Sequence, residues 1–283
     1  MLKAILHGKA GRIEHDGQTS VRWASLFKDL EDLLTSTVFE RFAYLSDDLQ
    51  AHLLQHWFQA HSGEVPQCFG EFKSISYWSR FTHEHDEDSN QVEPDLIIHF
   101  DNCNILVEVK PPAGGDQYFE QWHKEIESFL QSEGDSPKDL YFLAIGRIDL
   151  INTKLWADEL LPKFEQRLKG VASLKWKTVT AHLVALMSDN SDASAPVMSK
   201  QDRRIIQDIL DGLSLYGEQA SPFKWSALMN AKKFKKLSLN HTQLSSESIL
   251  SNCRISEPFS SENLLKNSLY PLDLQHFQSS LKE

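Results

Sequence analysis

Three ionisable residues with strand-like spacing stand in an otherwise apolar stretch of the sequence. Asp95 precedes the apolar run Leu96–Phe100, and Glu108 and Lys110 stand at the end of a second apolar run. Side chains of a β-strand alternate between its two faces, and directly paired residues of neighbouring strands share a face. If the two runs pair as a hairpin, all three ionisable side chains project from the same face.

Two carboxylates and an ammonium group on one face suit metal-assisted hydrolysis of a phosphodiester. Neighbouring carboxylates repel each other unless a hard divalent cation lies between them. Mg²⁺ fits that arrangement, polarises a phosphoryl oxygen and lowers the pKa of a bound water. A lysine beside it can position the attacking water and stabilise charge in the transition state. The simpler alternative, an exposed ion pair of Glu108 and Lys110 worth little to stability, leaves Asp95 unexplained.

The turn between the two runs decides which residues face each other. Residues 101–104 are Asp-Asn-Cys-Asn, a composition typical of turns, and they predict a hairpin of strands 96–100 and 105–109. In that register Asp95 lies opposite Lys110. The apolar residues of the other face are then available to pack against a helix.

Helical and strand-like patterns surround this hairpin in alternation. Apolar residues at helical spacing predict helices over 19–45, 47–61, 116–131 (with Asp116 as N-cap), 154–168 and 201–213. Apolar or alternating runs predict strands over 74–81, 140–145 and near 179–187, with a hydrophilic loop over 82–91. Helices before, between and after strands indicate an α/β fold in which helices are layered on a sheet.

The motif of a proline followed by Asp95, and then Glu108-x-Lys110, resembles the signature of the PD-(D/E)xK nuclease superfamily, which has the restriction-endonuclease-like fold. The resemblance covers roughly residues 19–187, the length of the α-β-β-β-α-β core of that superfamily. It implies a three-layer α-β-α core with a central mixed sheet. It also implies that Asp95, Glu108 and the backbone carbonyl of Val109 ligate the metal, and that Lys110 serves catalysis.

Many members of the superfamily carry a further metal-binding glutamate on the first core helix, where Glu31 and Glu40 are both candidates. Glu31 lies at the border of the apolar face of that helix and Glu40 points into solvent, so Glu31 is the preferred ligand. Some subfamilies place a glutamine on the helix after the lysine, which makes Gln117 and Gln121 candidates one turn apart. Gln121 is preferred as a catalytic residue because it lies deeper in the helix.

Length and charge indicate how the chain is organised. The 283 residues suffice for one large domain or for a domain with an appendage, and we expect a nuclease-like domain over 1–195 and a mainly helical and irregular extension over 196–283. The net charge of −11 argues against a protein that is basic all over, but residues 201–283 hold 10 basic and 9 acidic side chains. Four lysines of the extension predict contacts with a nucleic-acid backbone, unless they form a solvated face: Lys232, Lys233, Lys235 and Lys236.

The resemblance implies a Mg²⁺-dependent endonuclease acting on DNA, with Mn²⁺ as a substitute, in a prokaryotic antiphage defence or restriction system. The acidic balance predicts a protein partner that engages the DNA or supplies an ATP-driven motor, and a homo-oligomer is left open. Three scattered cysteines suit neither a disulfide framework nor a zinc site, and no apolar run is long enough to span a membrane, so we expect a cytoplasmic protein. The alternative function is a catalytically silent scaffold subunit that keeps the nuclease fold.

Overall fold

Helices and strands alternate along the chain in a computed structural model, which describes residues 2–66, 68–85, 88–134, 136–188 and 196–218. The helices are α1 (Leu2–Leu6), α2 (Trp23–Asp29), α3 (Glu31–Phe42), α4 (Asp47–Trp57), α5 (Phe119–Glu133), α6 (Leu150–Lys163), α7 (Trp176–Leu186) and α8 (Lys200–Leu215). The strands are β1 (Arg12–His15), β2 (Gln18–Arg22), β3 (His61–Gly63), β4 (Phe72–Tyr77), β5 (Phe81–His85), β6 (Asp88–Val92), β7 (Leu96–Phe100), β8 (Cys103–Val109), β9 (Asp139–Ile145) and β10 (Leu168–Leu174). Within these ranges, no helix has both the length and the hydrophobicity that a membrane crossing requires.

Six of the strands form a central mixed sheet in the order β3-β10-β9-β8-β7-β4. β8, β9 and β10 run parallel, and the other neighbouring pairs are antiparallel. Parallel strands need crossover connections, and α5 connects β8 to β9 while α6 connects β9 to β10. The α/β class and the mixed central sheet predicted from the sequence are confirmed, and the carboxyl ends of the three parallel strands meet at one edge.

Helices cover both faces of this sheet, which is why β8 is buried along its whole length. On one face, Val107 belongs to a large apolar cluster that includes residues of α3, α4, α7 and α8. On the other face, Leu106 belongs to a second cluster with Trp122 of α5 and Leu160 of α6. Because adjacent residues of a strand face different layers, Glu108 lies on the α5 side of the sheet.

β7 and β8 form the predicted hairpin, but the predicted register is wrong by two residues. His99 pairs with Asn104, so continuing the ladder places Asp95 opposite Glu108 rather than Lys110. The reason is that Asn104, whose type suggested a turn residue, lies inside the ladder with its Oδ1 hydrogen bonded to His99 Nδ1 at 2.9 Å. A shift of two residues preserves the faces, so the three ionisable side chains still share one.

The predicted strand near 179–187 is wrong, because helix α7 occupies this stretch. Val179, Leu183 and Leu186 are all buried, and their spacing of four and then three residues is helical. A short apolar run fits a buried strand and a buried helix equally well, and here the packing of α7 on the sheet decides between them.

Strand β10 was not predicted, and the predicted helix 154–168 is replaced by α6, which ends at Lys163. The small residues of β10 give a weak strand signal. Gly170 lies so close to the carbonyl oxygen of Glu64 that a Cβ at this position would overlap with it. The absence of a side chain at Gly170 thereby allows the chain that follows β3 to lie close to β10.

Three further local predictions need correction. The predicted loop 82–91 contains residues of β5 and β6, two antiparallel strands that pair with each other and not with the central sheet, and that therefore lack the alternating apolar pattern of a core strand. The predicted helix 19–45 divides into β2, α2 and α3, because Leu30 takes an extended conformation between the two helices. Asp116 is not the N-cap of α5, which begins three residues later at Phe119.

Helix α8 lies within the range 196–283 that was assigned to the extension, and it belongs to the same compact unit as the sheet. Ile206, Ile209 and Leu213 are buried in the apolar cluster that also contains residues of α3. Residues 219–283 lie outside the described part of the chain. The lysines predicted to contact nucleic acid therefore lie outside it as well: Lys232, Lys233, Lys235 and Lys236.

Candidate metal centre

Three carboxylates come together at the carboxyl end of β8. Glu31, Asp95 and Glu108 each offer one oxygen, and these three oxygens lie within 4.8 Å of one another. Glu31 is the first residue of α3, Asp95 directly precedes β7, and Glu108 is the last residue but one of β8. The two acids of the motif and the preferred helical glutamate thus converge, whereas the competing candidate Glu40 is exposed.

Backbone hydrogen bonds hold Asp95 against the neighbouring strand. Its Oδ2 accepts the N–H of Val109 at 2.7 Å, and its carbonyl oxygen accepts the N–H of Trp78 at 3.1 Å. The bond to Val109 joins the two halves of the sequence motif, since Val109 lies between the acid and the lysine of the second half. The role of the Val109 carbonyl as a metal ligand stays a prediction.

Lys110 follows β8 and directs its ammonium group into the acidic cluster. Its Nζ donates to Glu31 Oε1 at 3.0 Å and also to Glu108 Oε1. Its N–H donates to the carbonyl of Ile145 at 2.7 Å, and its carbonyl accepts the indole N–H of Trp176 at 2.8 Å. The main chain of the lysine is therefore held by β9 and α7, which fixes the starting point of its side chain.

The two candidate glutamines contact different parts of the site. Gln121 Nε2 donates to Glu108 Oε1 at 2.6 Å and to Glu125 Oε1 at 2.9 Å. Gln117 is buried just before α5, and its Nε2 lies 3.5 Å from the carbonyl oxygens of Glu108 and Ile145. Gln121 contacts the acidic side chains directly, whereas Gln117 contacts the main chain of the strands and accepts the indole N–H of Trp122 at 2.7 Å.

Glu125 is a fourth acid at the site, and the sequence prediction missed it. Its side chain is 1% exposed, and its Oε2 has no hydrogen-bond partner among the described residues. A signal was available, because residues four apart on a helix share a face. A glutamate one turn after Gln121 therefore points toward the same acidic cluster once α5 packs on the sheet.

Burial and mutual repulsion raise the pKa values of these acids. Burial and then the charge of Glu108 raise the pKa of Asp95 to about 9. Burial and then the charge of Glu125 raise the pKa of Glu108 well above its ordinary value, and burial raises the pKa of Glu125 to about 7. Burial acts to lower the pKa of Lys110, but Glu108 and Glu31 outweigh burial, so the pKa is raised overall and the ammonium keeps its proton.

The donor set fits a hard divalent cation. The carboxyl groups outnumber the single ammonium group, and burial together with this excess of negative charge raises the pKa values of Asp95 and Glu108 so that they retain protons. A divalent cation can replace those protons, because Mg²⁺ and Mn²⁺ prefer carboxylate oxygens as ligands. Among the described residues, no imidazole or thiolate joins the cluster, which disfavours a softer metal such as Zn²⁺.

An uncharacterized protein of Pasteurella multocida (strain Pm70) is similar to part of this chain. The two are 33% identical over 162 residues, which make up 54% of this chain and 56% of that protein. The match thus spans little more than half the length of the relative. No family model matches the chain. No solved structure matches it.

Proposed function

We propose that this chain is a divalent-metal-dependent nuclease that hydrolyses phosphodiester bonds in DNA. The observation that carries the proposal is the convergence of Glu31, Asp95 and Glu108 within 4.8 Å of one another, with the ammonium group of Lys110 hydrogen bonded to two of them. Carboxylates that can hold a cation, with a lysine beside them, are the groups that metal-assisted phosphoryl chemistry requires.

The order of elements through the site supports a restriction-endonuclease-like fold. α3, β4, β7, β8, α5 and β9 follow one another in the α-β-β-β-α-β order that the resemblance implies, with α4, β3, β5 and β6 as insertions. Asp95 directly precedes β7, Glu108 lies on the adjacent strand β8, and the further glutamate, Glu31, begins α3. Both the order of the elements and the positions of the three acids along the chain therefore agree with what the resemblance implies.

The chemistry is divided among the side chains of the cluster. Glu31, Asp95 and Glu108 would hold the cation, with the carbonyl of Val109 as a further ligand. When bound, Mg²⁺ or Mn²⁺ supplies Lewis-acid polarisation of a phosphoryl oxygen and a water of lowered pKa. Lys110 is hydrogen bonded to Glu31 and Glu108, two of these acids. It orients the attacking water and stabilises negative charge at the phosphate.

Gln121 acts through Glu108 rather than on the substrate. Gln121 and Lys110 donate to the same oxygen, Glu108 Oε1, so two elements fix the orientation of that carboxylate. The amide of Gln121 also donates to Glu125. The two hydrogen bonds together fix the orientation of this amide between Glu108 and Glu125. These contacts make Gln121 a positioning residue for a metal ligand.

A cleavage assay on supercoiled plasmid and linear DNA, with Mg²⁺, Mn²⁺ or EDTA, tests the proposal. We expect cleavage only with added metal, and a loss of about hundredfold or more in Asp95→Asn and Lys110→Ala. On α3, Glu31→Gln changes a residue that faces the cluster, and Glu40→Gln is its matched control because Glu40 is exposed. Cleavage by Asp95→Asn and Lys110→Ala at the parent rate would overturn the proposal.

We also infer that a partner protein engages the DNA, in a prokaryotic antiphage or restriction system. Residues 1–100 hold 16 acidic and 8 basic side chains, an imbalance that opposes unaided binding to a polyanion. Cleavage by the chain alone is to be compared with cleavage by the complex purified from its host. Equal rates for the two preparations would argue against a required partner.

A scaffold subunit with the same fold is the second candidate, and the same acidic imbalance favours it. Calorimetric titration with Mg²⁺ and Mn²⁺ separates the two functions. A nuclease binds metal at a site that Asp95→Asn removes, whereas a scaffold gives no such binding and no cleavage with its partner present.

A further inference from the structure

A cavity of about 710 Å³ opens beside the metal centre, at the carboxyl ends of β9 and β10. Gly146 follows β9 and Lys175 follows β10, and both line the cavity. In α/β proteins, ligands bind in crevices outside the carboxyl ends of the parallel strands, and this volume lies in the range of ligand sites. The chemistry proposed for the acidic cluster does not use this space.

The cavity shares wall residues with the metal centre. Gln117 lines the cavity, and its amide nitrogen lies 3.5 Å from the carbonyl oxygen of Glu108. Trp176 also lines the cavity, and its indole N–H donates to the carbonyl of Lys110 at 2.8 Å. A ligand in the cavity is therefore separated by one layer of side chains from the main chain that carries the metal-binding acid and the lysine.

The wall formed by α7 suits an anion. Arg147, Lys175 and Lys177 line the cavity. α7 begins at Trp176 with no acidic residue in its first turn, and its N-cap Lys175 makes no side-chain capping hydrogen bond. The N–H of Thr178 donates to the carbonyl oxygen of Lys175 at 2.8 Å, and no capping side chain satisfies the N–H groups of Trp176 and Lys177. A helix N-terminus of this kind beside lysines favours a phosphate group.

Three carboxylates line the cavity together with the three cationic side chains, so its formal charges balance overall and the position of each charge decides what can bind. Asp116 Oδ1 lies 3.5 Å from Arg147 Nε, and Glu218, which also lines the cavity, interacts with Lys177. Within the described part of the chain, no carboxylate lies within ion-pair distance of Lys175. Lys175, at the start of α7, is therefore the cationic side chain of the lining whose charge an anionic ligand can balance.

The wall formed by α6 offers an aromatic surface. Trp156 lines the cavity and is half-buried, with its ring edge-on to Trp122 at a centroid distance of 4.8 Å and 6.2 Å from the ring of Phe119. Asp149, also in the wall, is occupied as the N-cap of α6. An indole held in place by two aromatic neighbours provides a platform on which a nucleobase can stack.

We propose that this cavity binds one unpaired nucleotide of the substrate strand, next to the scissile phosphate. The phosphate of this nucleotide contacts Lys175, Lys177 and the N-terminus of α7, and its base stacks on Trp156. The inference rests on the proposed nuclease function, because the ligand is part of the substrate. A base stacked within a duplex cannot enter such a cavity without leaving the helix, so single-stranded or locally opened DNA is the preferred substrate.

Fluorescence anisotropy with labelled oligonucleotides, on the full chain in EDTA, measures this binding without cleavage. We expect single-stranded DNA to bind more tightly than duplex DNA, and Lys175→Ala/Lys177→Ala to weaken single-strand binding about tenfold at low salt. An abasic strand of the same length should lose about tenfold in affinity for the parent protein, because stacking is lost.

Lys124→Ala/Lys154→Ala is the matched control, since these lysines are exposed on α5 and α6 and do not line the cavity. We expect the control to change affinity by less than about twofold. An equal loss in both double variants would overturn the inference, because binding would then follow overall charge. Equal affinity for the abasic and natural strands would contradict the inference that a base stacks on Trp156.

Competition with deoxyadenosine monophosphate distinguishes a strand from a free nucleotide as the source of the ligand. Tighter binding of the free nucleotide than of the oligonucleotide, with no displacement by inorganic phosphate, would assign the cavity to a free nucleotide and overturn the strand assignment. Failure of the nuclease proposal is a separate result, namely cleavage by Lys110→Ala at the parent rate, and the binding measured in EDTA does not depend on it.

Discussion

Glu108 Oε1 accepts hydrogen bonds from both Lys110 and Gln121, and the loss of either donor leaves a buried carboxylate less well held. In Gln121→Ala, Glu108 loses its amide partner while its side chain stays 1% exposed. We expect metal affinity and cleavage rate to fall by about 10-fold to 100-fold, the usual effect of removing a group that orients a metal ligand. Calorimetric metal titration and single-turnover cleavage measure the two quantities.

Gln131→Ala is the control for this variant, because Gln131 is exposed on the same helix, α5. It should bind metal and cut DNA as the parent does. Thermal unfolding of both variants separates a local effect from a loss of folded protein. Parent-like metal affinity in Gln121→Ala would show that the glutamine does not position Glu108.

At the scale of elements, the end of β9 determines where Lys110 lies. Gly146 has a φ of +133°, and a Cβ at this position would overlap the carbonyl oxygen of Lys110. We expect Gly146→Ala to lower the free energy of unfolding by about 2–4 kcal/mol, through backbone strain and displacement of the neighbouring strand end. Urea denaturation followed by circular dichroism measures the change.

Gly114→Ala provides the comparison for this substitution. A Cβ at Gly114 meets no atom within 4 Å, and the residue does not have a positive φ. Its free energy of unfolding should change by less than about 0.5 kcal/mol. Similar stability of the two variants would contradict the close packing of Gly146 on Lys110.

Helices and strands could be predicted from the sequence where the pattern that indicates them lies within a few neighbouring residues. The hairpin follows from two short apolar runs and a turn between them, and the shared face of Asp95, Glu108 and Lys110 follows from strict alternation, which tolerates a register error of two residues. α7 and β10 were not predictable, because short apolar or small-residue runs suit a helix or a strand until packing decides.

The same distinction applies to the site. Glu31 could be chosen over Glu40 because helical periodicity alone separates a buried border from an exposed face. Glu125 was missed because its role depends on how α5 is oriented on the sheet. The cavity between the starts of α6 and α7 was also missed, since it requires the parallel order of β8, β9 and β10, and β10 was not predicted.

At the scale of the whole molecule, the net charge of −11 opposes association with a polyanion. We expect the chain alone to bind duplex DNA with a Kd weaker than about 1 μM at physiological salt, and more tightly as the salt concentration falls. Anisotropy titrations over a salt series measure this dependence. Affinity of about 10 nM or tighter at physiological salt, typical of a specific DNA-binding protein, would contradict the expectation.

The protons held by the acidic cluster predict how the stability of the metal-free protein depends on pH. The pKa of Asp95 is raised to about 9 in the folded protein, against about 4 in the unfolded chain. Between these values the folded state binds a proton that the unfolded state does not, so this contribution is fully present below about pH 4 and is lost as pH rises through about 9. We expect Asp95 alone to lower the stability of the metal-free protein by about 2 kcal/mol between about pH 6.5 and pH 8.5, and the raised pKa values of Glu108 and Glu125 add to this loss.

Saturating Mg²⁺ should remove this loss, because metal ligation needs the deprotonated carboxylates and so favours the folded state more as pH rises. Asp95→Asn should reduce the pH slope without abolishing it, because the raised pKa values of Glu108 and Glu125 also contribute. Asp101→Asn, at an exposed position in the β7–β8 turn, should leave the slope unchanged. His182 does not interfere, because burial and then the charge of His56 lower its pKa to about 3. Its contribution therefore changes only below about pH 6.5, with the opposite sign. Denaturation curves at the two pH values, with and without Mg²⁺, measure all of these effects. A slope that neither Mg²⁺ nor Asp95→Asn reduces would place the titrating groups outside the acidic cluster.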